Sequence, residues 1–135
     1  GVEGLTVGYG QDENGTGVAA TEVDTDAMFI KYAYGPVTVG YQKSEDDANN
    51  ATNSDEFTGM GVSYAVSDDL SVSYTQTAYD LGSSTTDEET TTIGASYTMG
   101  SMTLAVTLNE AENIGGSTDA IDDVEGYDFT LSFAF

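Results

Sequence analysis

YDFTLSFAF, residues 127–135, alternates large apolar side chains with small or polar ones. Side chains along a β-strand point to opposite faces in turn, so this stretch has one apolar face and one face that tolerates water. The apolar face carries Tyr127, Phe129, Leu131, Phe133 and Phe135. The pattern predicts a strand that borders hydrocarbon on one side and water on the other.

Seven further segments show the same period of two. They are rich in valine, threonine and tyrosine, which favour strands, and none has the i, i+3, i+4 recurrence of a buried helix face. The segments are LTVGY (5–9), MFIKYAY (28–34), VTVGY (37–41), MGVSYAV (60–66), LSVSY (70–74), IGASYTM (93–99) and MTLAVTL (102–108). The sequence therefore predicts eight strands and an all-β fold.

The connections between these segments alternate in length. Three are short enough for tight hairpin turns: Gly35-Pro36, Ser67–Asp69 and Gly100-Ser101. The other four are long and polar and span residues 11–26, 45–56, 80–90 and 110–125. Most of the 24 acidic residues fall in these long connections. One end of the predicted sheet is thus closed by tight turns, and the other carries acidic loops.

The composition excludes most kinds of chemistry. The chain has 135 residues, no cysteine and no histidine, and Lys31 and Lys43 are its only basic residues. Nucleophile–histidine pairs, zinc sites built on Cys or His, and arginine clamps for phosphate therefore lack their parts, so we expect no enzymatic activity and no cofactor. The formal net charge of −22 repels nucleic acid, which is bound through Lys and Arg.

The pattern of faces and connections favours a membrane barrel over a soluble sandwich. No run of about 18 apolar residues is present for a transmembrane helix. No leader precedes the first segment, so either it has been removed or the chain begins inside a longer protein. A soluble secreted acidic β protein would also alternate, but it has no reason to place all short turns at one end. Barrels of the outer membrane have short periplasmic turns, long outer loops and aromatic girdles.

We therefore predict that residues 1–135 form a transmembrane antiparallel up-and-down β-barrel segment, as one domain or half of one. Aromatic residues mark both edges of its apolar band. The predicted periplasmic girdle consists of Tyr34, Tyr64, Tyr97, Phe133 and Phe135, and the outer girdle of Tyr9, Tyr41, Tyr74 and Tyr127.

The opposite face is the candidate pore lining, and it consists mainly of Gly, Ala, Ser and Thr. A closed eight-stranded tube is filled by side chains, and this set is too small to fill one, so the face favours a wider, water-filled pore. An even number of strands would also suit a complete eight-stranded barrel with a structural or adhesive role and no channel. The candidate pore-lining residues are Lys31, Gln42, Ser63, Ser71, Ser73, Thr75, Ser96, Thr103, Thr107, Asp128, Thr130 and Ser132.

Three charged positions have two interpretations each. Lys31 either lines the pore as a fixed positive charge or pairs with a polar group of a neighbouring strand. Lys43 shares the apolar face at its outer end, where it either snorkels toward lipopolysaccharide headgroups or is an ordinary lysine at a loop base. Asp128 either adds to a cation-favouring field near the outer mouth or is simply hydrated there.

Acidic runs in the long connections offer oxygen ligands that would suit Ca²⁺, although a solvated loop is the ordinary interpretation of such runs. We therefore assign no metal site. The runs are Glu45-Asp46-Asp47, Asp87-Glu88-Glu89, and Asp119 with Asp122-Asp123.

The closing strand resembles the C-terminal strand of bacterial outer-membrane proteins, whose terminal Phe is part of the assembly signal. Phe135 is the matching position, and Tyr127, Phe129, Leu131 and Phe133 share its face. KYAYGPVTVGYQKSED (31–46) and GVSYAVSDDLSVSYTQTAYD (61–80) resemble hairpins of the general porins of Gram-negative bacteria, in particular those of α-proteobacterial type. The resemblance covers the whole chain.

The resemblance implies a channel in the bacterial outer membrane, commonly a trimer of sixteen-stranded barrels that passes small hydrophilic solutes. The chain departs from that pattern in having eight strands and no arginine cluster at the constriction. We therefore expect the C-terminal half of a sixteen-stranded barrel that acts as a passive diffusion channel, surrounded by outer-membrane lipid and lipopolysaccharide. Its acidic loops should give it a mild preference for cations.

Overall fold

The computed structural model describes residues 1–14, 23–48, 54–119 and 123–134. Within these ranges, eight strands form one sheet in sequence order, and each strand is antiparallel to its neighbours. The all-β, up-and-down prediction is confirmed. The strands are β1 (Leu5–Asn14), β2 (Val23–Tyr34), β3 (Val37–Ala48), β4 (Asp55–Ala65), β5 (Leu70–Asp80), β6 (Glu88–Met99), β7 (Met102–Glu112) and β8 (Val124–Phe133).

All three predicted hairpin turns are present at one end of the sheet. Gly35 and Gly100 have φ of 54° and 62°, a left-handed conformation that a residue with a Cβ rarely adopts. The turn between β4 and β5 is one residue longer than predicted, because β4 ends at Ala65. In that turn the Ser67 hydroxyl oxygen accepts a hydrogen bond from the Leu70 N–H at 3.1 Å.

The predicted limits of the long connections were wrong. β3 continues to Ala48 and β4 starts at Asp55, so much of the expected 45–56 loop is paired strand. The same holds at the loop ends of the other strands. Beyond the apolar residues, both faces of the sheet meet water. Backbone pairing therefore continues there through carboxylate-bearing residues that do not alternate with apolar ones. We call the parts of the strands that extend beyond the apolar residues, at the end with the long connections, the outer rim. Parts of the predicted connections, residues 15–22, 49–53 and 120–122, lie outside the described residues, as does Phe135.

The register keeps each face of the sheet uniform from one edge to the other. The apolar face contains a row of directly opposed residues, one per strand: Leu5, Tyr32, Val39, Val62, Tyr74, Ile93, Leu108 and Tyr127. The next row lies on the polar face: Thr6, Lys31, Gly40, Gly61, Thr75, Thr92, Asn109 and Gly126. Sequence periodicity had predicted this division strand by strand, and the pairing aligns it across all eight.

Among the described residues, the apolar face packs against no other part of the chain. Among the described residues no hydrophobic side chain is buried, and Tyr9, Tyr127 and Phe129 are 72%, 79% and 66% exposed. The accessible surface is 9378 Å², whereas a compact soluble protein of this mass exposes roughly 6,700 Å². The described strands do not stack into two sheets around a dry interior, so a sandwich is excluded for them. An apolar face of this kind is stable against lipid.

The apolar band runs obliquely across the register. Its outer edge is at Tyr9 in β1, but in β8 it is at Tyr127, which shares a row with Leu5. A band of constant height that crosses the rows means that the strands tilt relative to the membrane normal, as they do in barrels.

The sheet is open among the described residues, since β1 pairs only with β2 and β8 only with β7. Each outer strand therefore has a row of backbone groups without a partner strand, and hydrocarbon does not tolerate such an edge. No helix in the described ranges has the length and hydropathy needed to cross a membrane.

Candidate functional site

The structure places every candidate pore-lining residue on the polar face. They fall into a few rows that cross the sheet, so side chains from distant parts of the sequence become neighbours. One row joins Thr38, Ser63, Ser73, Gly94, Thr107 and Asp128. Another joins Ser71, Ser96, Ala105 and Thr130, and a third joins Thr98, Thr103 and Ser132. That these residues line a pore stays a prediction.

Hydrogen bonds link polar-face side chains between β6, β7 and β8. The Thr92 hydroxyl donates to Asn109 Oδ1 at 2.8 Å, and Asn109 Nδ2 donates to Asp128 Oδ2 at 3.2 Å. The carboxylate of Asp128 is thus held in place on the sheet. Asn109 was missed from the sequence because the seventh segment was ended at residue 108, four residues before β7 ends.

Lys31 lies on the polar face at the height of the apolar band. Both ion pairs of the described residues are made by Lys43, and Lys31 takes part in neither. In its row Lys31 lies between Thr6 and Gly40, so it has a hydroxyl group on the β1 side and bare backbone on the β3 side. That Lys31 lines the pore as a fixed positive charge stays a prediction.

A groove of about 460 Å³ lies beside Lys31 on the polar face of β2–β5. Its walls include two phenylalanines, Phe29 and Phe57, and its floor includes Gly40, Gly59 and Gly61. Phe57 was not predicted as a site residue because it falls in the outer part of β4, between the predicted 45–56 loop and the predicted segment that starts at Met60. Continuing the period of two from Ser63 back to residue 57 would have found it.

The polar face of the outer rim carries carboxylates. The Tyr79 hydroxyl donates to Asp55 Oδ2 at 3.3 Å, and the Gly82 N–H donates to Asp55 Oδ1 at 3.0 Å. Burial raises the pKa of the Tyr79 phenol, and the negative charge of Asp55 raises it further, followed by smaller contributions from Asp46 and Glu88. Tyr79 therefore lies among negative groups that no ion pair of the described residues neutralises.

Lys43 lies on the other side of the sheet, just beyond the apolar band. Its ammonium is 2.8 Å from Glu56 Oε2 and 3.3 Å from Glu45 Oε2. Hydrogen bonds to Glu56 and then Glu45 raise the pKa of Lys43. The chain's own carboxylates thus engage this lysine, for which the sequence offered both a lipopolysaccharide contact and an ordinary position at a loop base. Contact with that lipid stays a prediction.

The acidic runs considered for Ca²⁺ do not converge in the part of the chain that the structure describes. Among those residues, no group of three or more His, Cys, Asp or Glu is placed to hold a metal ion. Glu45, Asp46 and Asp47 all belong to β3, so Asp46 points to the opposite face from the other two. Asp122 lies outside the described residues.

The four described members of the predicted assembly signal line one side of β8. Tyr127, Phe129, Leu131 and Phe133 lie on the apolar face and are all exposed. Phe135 falls outside the described residues, and the role of this strand in assembly stays a prediction.

Comparison with models of protein families matches residues 3–130 to the family described as Gram-negative porin. Comparisons with curated proteins and with solved structures give no match.

Proposed function

Because the chain belongs to the Gram-negative porin family, whose place is the bacterial outer membrane, we propose that it forms a water-filled channel for passive diffusion of small hydrophilic solutes and ions. The α-proteobacterial type remains a prediction. The observation that carries the proposal is a single sheet with one apolar and one small, polar face, and no packed core among the described residues. Lipid suits the first face and a wet bore suits the second.

The chain contributes half of a wider barrel. Its polar face has few large side chains, and a closed eight-stranded tube would need them to fill its interior. The free edges of β1 and β8 are where further strands would pair. A trimer of such barrels, in contact with outer-membrane lipid and lipopolysaccharide, is the assembly that we propose. No cofactor and no catalytic step enters this mechanism, which depends on pore width, the polar lining and the summed charge at the mouth.

Cations should pass more easily than anions. Asp46, Asp55 and Glu88 face the mouth from the outer rim, and Asp128 lies deeper on the same face. Lys31 is the one basic residue placed on that face in the part of the chain that the structure describes. Exposed charges act over about 8–10 Å at physiological salt, so the preference should shrink as salt is added.

Reversal potentials across a planar bilayer test the proposal. We expect cation preference at low salt, and a smaller preference in the Asp55→Asn/Glu88→Gln variant. Glu110→Gln/Glu125→Gln is the matched control, because it removes two charges from the apolar side of the outer rim and should leave the reversal potential unchanged. Anion preference at low salt would overturn the selectivity. The lack of any conductance would favour the structural or adhesive barrel instead.

A further inference from the structure

The groove beside Lys31 differs chemically from the rest of the polar face. Most of that face carries Ser, Thr, Ala or Gly, whereas the groove combines two aromatic rings, an amide and an ammonium group: Phe29, Phe57, Gln42 and Lys31. Its volume of about 460 Å³ lies within the range of small-molecule sites. Apolar walls with a few convergent polar groups are the usual composition of such sites.

The floor of the groove is kept bare at Gly40. A Cβ at Gly59 would meet Gln42 Cγ and Phe57 Cε1, both at 3.4 Å, and one at Gly61 would meet Thr75 Oγ1 at 3.4 Å. A Cβ at Gly40 would meet only the Ile30 carbonyl oxygen, at 3.9 Å. Packing therefore does not require glycine here. Glycine within a strand weakens it, and it often marks a place where a ligand approaches the backbone.

The aromatic walls are only partly explained by packing. The Phe29 ring lies against Gly8, so that a Cβ at Gly8 would overlap it. Phe29 nevertheless remains 44% exposed on the face that meets water. Phe57 similarly lies against Gly59. One side of each ring covers a glycine, and the groove lies on the remaining surface.

Lys31 supplies the charge at this site. It lies in the same row as Gly40 and Gly61, and it makes neither of the ion pairs seen in the described residues. An ammonium group beside open backbone and phenyl rings suits a carboxylate attached to an apolar body. However, the carboxylates of the outer rim and the net charge of −22 lower the local concentration of solutes that carry a net negative charge. A solute that carries its own positive charge escapes this exclusion.

We propose that the groove is a binding subsite for small zwitterionic carboxylates with an apolar body, of which a hydrophobic amino acid is the simplest. The carboxylate binds Lys31, the backbone of Gly40 leaves room for the main part of the molecule, and the apolar side chain contacts Phe29 and Phe57. The inference rests on the proposed channel function, because the solute reaches the groove through the bore.

Lysine NMR tests the subsite without requiring conductance. The whole barrel labelled with ¹³C-lysine is folded in detergent micelles, and Lys31→Arg and Lys43→Arg variants identify the signals of these two lysines. We expect L-phenylalanine to shift the Lys31 signal saturably and to leave that of Lys43 in place. Glycine, which lacks the apolar body, and phenethylamine, which lacks the carboxylate, should shift it at least tenfold more weakly. An equal response of both lysines to all three probes would overturn the proposal.

A pair of glycine variants tests the location. Gly40→Val should weaken the response to phenylalanine at least tenfold, because the valine side chain enters the groove. Gly126→Val is the matched control: Gly126 lies in the same row, also has open space above it, and belongs to β8, away from the groove. Equal binding by both variants would overturn the location. If Gly40→Val fails to fold, Phe29→Ala serves as a second variant. It should also reduce the response of the Lys31 signal to phenylalanine.

Conductance of the same variants separates this proposal from the channel function. A conducting protein whose Lys31 signal ignores phenylalanine would retain the channel and lose the subsite. A protein that responds at Lys31 and does not conduct would retain the subsite and lose the channel.

Discussion

Val106 and Thr107 are neighbours in β7, yet they face different surroundings. Val106 lies opposite Phe129 on the apolar face, and Thr107 lies opposite Asp128 on the polar face. The apolar face selects residues by hydrophobicity, because its side chains are not in water. The polar face tolerates charge, and its residues are mostly small. The residue types that are absent from each face therefore identify the solvent that the face meets, even in a sheet without a core.

The largest expected effect comes from placing the same charge on each face. Val106→Arg puts a guanidinium into the middle of the apolar band, which costs about 2–4 kcal/mol. Thr107→Arg puts it on the polar face, where it should change the free energy of unfolding by less than about 0.5 kcal/mol. Denaturant unfolding in lipid vesicles measures both. Equal losses would mean that the two faces do not meet different solvents.

A smaller effect is expected from crowding the polar face. Gly8→Ala forces its new Cβ against the Phe29 ring, and overpacking of this kind costs about 1–3 kcal/mol. Gly10→Ala is the control, because a Cβ there meets nothing within 4 Å. In the Gly8→Ala/Phe29→Ala double variant most of the loss should be recovered. A loss that persists without the Phe29 ring would show that the backbone itself requires glycine.

The smallest effect is expected in the outer rim, at high pH. Tyr79 has a pKa raised by burial and by Asp55 above the ordinary 10.0. Because the folded value exceeds the unfolded one, the protonated phenol stabilises the fold below pH 10, and this contribution is lost as the pH rises through the raised pKa. Wild-type protein should therefore lose more stability at high pH than Tyr79→Phe. Unfolding midpoints on either side of the phenol titration measure the difference, and identical pH profiles would contradict it.

The sequence predicted strand number, strand order and the identity of each face. It could do so because lipid and water place opposite demands on alternate residues, as in Leu104 and Ala105. That contrast ends where the strand leaves the membrane. Glu45, Asp46 and Asp47 continue β3 without any alternation, so they were assigned to a loop. Phe57 and Tyr79 were missed as polar-face residues because the predicted strand segments ended before the structure's strands do.

The site depends on cross-strand register, which periodicity alone does not determine. Lys31 and Gly40 are recognisable separately as inward positions, but their placement in one row follows from the length of the turn at Gly35-Pro36. The contact between Phe29 and Gly8 likewise depends on how β1 pairs with β2. A sequence gives the residues of such a groove, and the pairing decides which of them meet.

Within the described residues, each strand of this sheet pairs only with its sequence neighbours. A hairpin is therefore a self-contained module: it begins and ends on the same side of the membrane, and removing or duplicating one leaves a compatible edge on either side. Since barrel diameter grows with strand number, bore size can change in hairpin-sized steps during evolution. Gene duplication can thus change the pore diameter without changing the sequence of any existing strand.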